Sequence, residues 1–124
     1  MTSEAIKFIN SNLKDLGINF EFGQYTGEHN YPIFDTIYAE FESMSEDGKE
    51  QGTFVLTGTT DTSFLDLENI KNKVKARFTN LGLRTVLPNG NGLVVTYVNS
   101  IPIPTADGVL KRIQINLSVK EWVV

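Results

Sequence analysis

Ile101-Pro-Ile-Pro-Thr-Ala-Asp-Gly-Val-Leu-Lys-Arg-Ile-Gln-Ile-Asn-Leu-Ser-Val-Lys-Glu-Trp122 is the stretch whose reading decides the fold. Its second half alternates with a period of two: Ile113, Ile115, Leu117 and Val119 point one way. Arg112, Gln114, Asn116, Ser118 and Lys120 point the other. Such alternation describes a strand of an antiparallel sheet with one face covered and one face wet. The prolines predict a stiff entry, Ala106-Asp-Gly108 a turn, and Val109–Trp122 the last strand.

Working outward, Leu93–Asn99 and Arg84–Leu87 read as two more extended pieces, joined by Asn89-Gly-Asn-Gly92. Before them, Ser63-Phe-Leu-Asp66 has the form of a capping box and opens a helix. That helix carries Leu67, Ile70, Val74 and Phe78 on one side and stops at Gly82. Gly52–Thr59 alternates Phe54 and Leu56 against Thr53, Val55 and Thr57. Asp47-Gly48 predicts a tight turn linking it back to a strand at Phe34–Ser43. Gly23–Pro32 reads as a polar loop leaving by an extended Tyr31-Pro32 step. Ile18–Phe22 reads as a short strand. At the start, Ser3 is the expected cap of a helix ending near Leu16 and Gly17, with Ile6, Ile9, Leu13 and Leu16 on one stripe. The order predicts one α+β domain spanning residues 1–124, with two helices on one face of a mainly antiparallel sheet.

Composition narrows the function. The 124 residues are 40% hydrophobic and 21% charged, which is ordinary for a globular chain. No apolar run approaches the ~20 residues of a membrane helix, and the start is too polar for a secretory signal. A soluble, cytoplasmically assembled protein without membrane contact is expected. With no cysteine there is neither disulfide nor thiol chemistry. Net charge is −4, split into ten acids against three lysines in residues 1–50 and five acids against eight cations in residues 51–124. Either the two halves are solvated surfaces, or opposite charges orient neighbouring copies. In the second case Lys71 and Lys75 are the expected contact cations. An acidic chain is poorly suited to gripping duplex DNA.

Chemistry-bearing groups are sparse. His29 is the only histidine, and one imidazole beside Glu28 does not make a zinc site. Glu40, Glu42, Glu46, Asp47 and Glu50 read as a solvated acidic rim rather than a catalytic pair. No nucleophile elbow or phosphate loop occurs, so no catalytic residue, metal or cofactor is expected. The aromatics Phe8, Tyr25, Tyr31 and Trp122 are candidates for a protein interface or for the core periphery. The loops at 27–33, with His29, and 89–92, with Asn89 and Asn91, are candidate contact loops or plain connections.

From Tyr31-Pro32 onward, one succession of motifs is distinctive: Glu46-Asp47-Gly48, Thr53-Phe-Val-Leu-Thr-Gly58, the helix capped at Ser63, Asn91-Gly92, Ile101-Pro-Ile-Pro104 and Leu110-Lys-Arg-Ile-Gln-Ile-Asn-Leu117. This succession resembles a family of minor tail or neck proteins of long-tailed phages and prophages, similar in organisation to tail terminators. The first helix matches only in type. The resemblance implies a curved sheet with two helices, and a homo-oligomeric ring, usually a hexamer, that caps the tail tube and offers a docking surface for the head. Its implied partners are further copies of itself, the tail tube protein and a head–tail connector protein, with DNA only as passing cargo. The location implied is the virion. A head-completion or head–tail joining protein, a tube subunit, or a small α+β ligand-binding domain are the alternatives.

Overall fold

The computed structural model describes residues 1–22, 31–40, 49–106 and 108–122. The chain runs α1 (Ser3–Asp15), β1 (Phe20–Phe22), β2 (Ile33–Glu40), β3 (Lys49–Thr60), α2 (Phe64–Phe78), β4 (Leu83–Val86), β5 (Gly92–Ile103) and β6 (Lys111–Trp122). The six strands form one sheet in the order β1-β2-β3-β6-β5-β4. It curls into a half-barrel. β1 runs parallel to β2 and every other pairing is antiparallel, so the expected α+β architecture holds with a mixed sheet.

The central pair sets the register. Phe54, Leu56 and Gly58 on β3 stand opposite Leu117, Ile115 and Ile113 on β6, and all six are buried. Both helices add their stripes to this face: Ala5, Ile9 and Leu13 from α1, and Leu67, Val74 and Phe78 from α2, join one core cluster. Ile70 packs at its margin. Gly58 is small for a steric reason. A Cβ there would lie 2.4 Å from the ring of fully buried Phe34, which occupies the space a side chain would need.

The helix ends differ from the sequence reading in two places. Thr2, not Ser3, caps α1: its side chain accepts from the Ala5 amide, and Glu121 holds it in place. The capping box of α2 forms as expected, with Ser63 and Asp66 as its reciprocal members. However, α2 stops at Phe78, four residues before Gly82. Thr79 takes φ 58° and ψ 170°, a conformation that strongly favours glycine. It is held there from both sides. Its carbonyl accepts from Tyr97, and its hydroxyl accepts from the amides of Leu81 and Gly82.

The proline motif was expected to be an entry segment and is instead strand. β5 continues from Gly92 through Ile103, with a bulge between Tyr97 and Asn99. β4 begins at Leu83, opposite Val95, so beyond that point β5 is the sheet edge. Pro102 lacks an amide hydrogen, and an edge strand can absorb that loss. At the other side, β2 covers Ile33–Glu40, and residues 41–43 of the expected strand lie outside the described residues. So does the Asp47-Gly48 turn.

Candidate interface

Both helices lie on one side, which leaves the other sheet face without a covering element among the described residues. Its middle is uncharged and polar. Asn116 Nδ2 donates to Asn99 Oδ1 at 2.7 Å, and Gln114 Nε2 donates to Asn116 Oδ1 at 2.9 Å. Thr53, Thr57, Ser118 and Thr96 continue this surface along the same registers. The side-chain amides largely bond one another, so the centre of the face is already satisfied.

One end of that face differs in character. In register, Lys120 of β6 lies beside Val94 of β5 and Arg84 of β4; one step on, Trp122 lies beside Gly92 and Val86. Gly92 has no side chain to separate its neighbours, and a Cβ there would sit 3.9 Å from that of Trp122. Val86 is 74% exposed, Arg84 and Lys120 are exposed, and Trp122 is half-buried. Of these residues, tryptophan and arginine are the types enriched at protein interfaces.

The core side of the same strand end carries a different polar site. Glu121 is 1% exposed. The Thr2 amide donates to its Oε1 at 2.9 Å, while the Thr2 hydroxyl and the Asn91 side-chain amide donate to its Oε2 at 2.7 and 2.8 Å. Burial by itself raises its pKa. The bonds from Asn91 and Thr2, with the Met1 amino group nearby, outweigh burial and hold the carboxyl below the usual range. This carboxylate ties α1, the 87–91 turn and β6 together, a structural duty.

The residues singled out from sequence fall in separate places. Trp122 belongs to the uncovered patch. Phe8 packs against the core margin and borders shallow clefts on the flank of α1, one of about 310 Å³ shared with β4 residues Thr85 and Val86. Tyr31 is half-buried just before β2. Asn89 is exposed and accepts from the Asn91 amide, the local bond that shapes the turn. Asn91 itself is buried on Glu121, which corrects its reading as a contact residue. Lys71 bonds Glu68 at 2.8 Å; that bond raises its pKa, with burial opposing. Lys75 stands 5.7 Å from the Tyr97 ring centroid, a cation–π distance. Both lysines therefore have partners within their own chain. Tyr25 and His29 lie outside the described residues.

Sequence reasoning missed Arg84, Val86 and Val94. Period-two alternation had already put Lys120 on the wet face of β6, but only the register brings residues from three strands into one patch. Among the described residues no group of three or more His, Asp or Glu is placed to hold a metal ion, and no helix is long and apolar enough to cross a membrane. The space between helices and sheet is occupied by the core cluster.

No protein-family model matches the chain, and no curated protein matches its sequence. The fold does have solved counterparts. One, a protein identified only by a sequence identifier, is 15% identical, with a TM-score of 0.70 over 100% of this chain and 98% of its own. Another is a chain from the virion of a native gene transfer agent (GTA) particle: 11% identical, TM-score 0.68, covering 96% of this chain and 92% of that one. At these identities the likeness is one of fold.

Proposed function

We propose that this protein is a structural component of a phage-type virion, and more narrowly a tail terminator: a ring, expected to be a hexamer, that caps the tail tube, ends its polymerisation and receives the head. The observation that carries this reading is the near end-to-end fold likeness to a chain of a gene transfer agent virion. The motif succession from Tyr31 to Leu117 points the same way. The sheet face left without a covering element among the described residues supports it too, because a ring subunit needs surfaces for its neighbours. A closed ring of identical copies requires two different, mutually complementary patches on each copy. The partners proposed are other copies, the tube protein and a head–tail connector, with DNA as cargo only. The reading assigns no catalytic residue and no cofactor.

Deleting the gene from the phage or prophage that carries it and measuring tails by electron microscopy tests the proposal. A terminator stops growth by covering the tube end, so its loss should leave tails of uncontrolled length that do not join heads. Tails of normal length contradict termination. If those tails still fail to join heads, the protein belongs to head–tail joining instead.

A further inference from the structure

Charges on the uncovered face sort by strand. Glu21 and Asp35 are direct register neighbours at the β1–β2 edge. Arg84, Arg112 and Lys120 occupy β4 and β6, toward the other edge, and Lys49 of β3 is level with Trp122. In the described part of residues 79–122 the one acid is Glu121, and it is buried on the opposite face. The face is thus acidic at the β1–β2 edge, while its cations stand on the central strands β3 and β6 and on the far edge strand β4, and each group has apolar side chains beside it. Ile37, 53% exposed, follows Asp35 on the same face of β2; Val86 and Trp122 accompany the cations.

We propose that the Arg84, Val86, Val94, Lys120 and Trp122 patch binds the β1–β2 edge of a second copy, where Glu21 and Asp35 meet the two cations and Ile37 meets the apolar centre. The inference rests on the ring reading and adds to it which two surfaces join. A second copy is the occupant because groups of opposite charge stand on separate parts of the same face, the acids at the β1–β2 edge and the cations across β6 and β4. A contact between the unlike patches of two copies leaves each copy with one further patch free for the next. Repetition of that heterologous contact closes a ring or extends a filament. Lys71 and Lys75, engaged with Glu68 and Tyr97, are not needed for it. Duplex DNA is the less suitable occupant, since a few cations interleaved with a tryptophan and two valines offer little phosphate neutralisation.

The test uses the full chain in analytical ultracentrifugation at low and high salt, with two charge-reversed forms: Arg84→Glu/Lys120→Glu and Glu21→Lys/Asp35→Lys. Each alone should raise the dissociation constant at least about tenfold, because like charges then face each other. Mixed in equal amounts they should assemble again, since every contact regains opposite signs. Trp122→Ala should weaken association about thirtyfold or more, as loss of an interface anchor does. If a reversed form does not fold, the alanine pair Arg84→Ala/Lys120→Ala replaces it, with the same sign expected. A wild type that assembles while both folded reversed forms assemble equally well overturns this contact and leaves the ring intact. A wild type that stays monomeric at all concentrations, even with tube protein, overturns the ring reading itself. Binding of duplex DNA through Arg84 and Lys120 without self-association overturns the choice of occupant.

Discussion

The two faces of the β3–β6 pair are built from the same strands in strict alternation, yet they carry different tasks. On the covered face Phe54, Leu56, Ile113, Ile115 and Leu117 are fully buried under both helices. On the other face Val55, Gln114, Asn116 and Ser118 remain partly accessible, and the side-chain amides of Gln114 and Asn116 bond one another or Asn99. Removing atoms from the first face opens cavities. Changing the second alters only what the surface presents. Substitutions one residue apart along a single strand should therefore separate stability from the association proposed for the second face.

The comparison breaks most sharply at Ile115. Ile115→Ala should destabilise the fold by about 2–5 kcal/mol in chemical denaturation, the range for truncating a fully buried aliphatic side chain. Asn116→Ala, its immediate neighbour, should change stability by less than about 1 kcal/mol. Equal effects would erase the distinction between the faces.

Gly58→Ala comes next. The added methyl cannot coexist with the Phe34 ring where it now sits, so a loss of roughly 1–3 kcal/mol is expected from overpacking. The double variant Phe34→Leu/Gly58→Ala sharpens the point. If the ring is the obstacle, the two losses should be less than additive in a denaturation cycle.

Glu121 gives a smaller, pH-dependent effect. Its folded pKa lies below its unfolded value, so its contribution is complete above about pH 4.3 and is lost as pH falls through the folded value. Melting temperature followed from about pH 5 to pH 2 should fall more steeply for the wild type than for Glu121→Gln, which has no charge to titrate. Identical slopes would show that the carboxylate is not held as the geometry indicates.

The smallest effect on stability belongs to the exposed patch. Arg84→Glu and Lys120→Glu should each shift folding stability by no more than about 0.5 kcal/mol, as exposed substitutions usually do. A large loss there would mean that the patch supports the fold.

Much of the architecture was legible because periodicity is a local signal. The alternation of Ile113 to Val119, the box at Ser63 and Asp66, and the stripe of α2 each reflect a few neighbouring residues. What escaped depends on distant partners. Thr2 became the cap of α1 because Glu121, 119 positions away, fixes its side chain. Ile101–Ile103 became strand because β6 is long enough to pair with it, while β4 stops short. Thr79 ends α2 in a glycine-like conformation because Tyr97 donates to its carbonyl. The patch was half legible: Trp122 and Lys120 share a face by alternation, whereas Arg84, Val86 and Val94 join them only through register. Asn91 resembled a loop contact residue because nothing nearby in sequence shows the buried carboxylate that it serves.

Hydrogen exchange compared between the assembled and the dissociated protein tests most directly whether the uncovered face is where copies meet. The account predicts that assembly adds protection at Gly92–Val95, Leu83–Val86 and the end of β6, and at β1 and the first half of β2. The outward surfaces of α1 and α2 should exchange as before. New protection confined to the helices, with the uncovered sheet face unchanged, would contradict it.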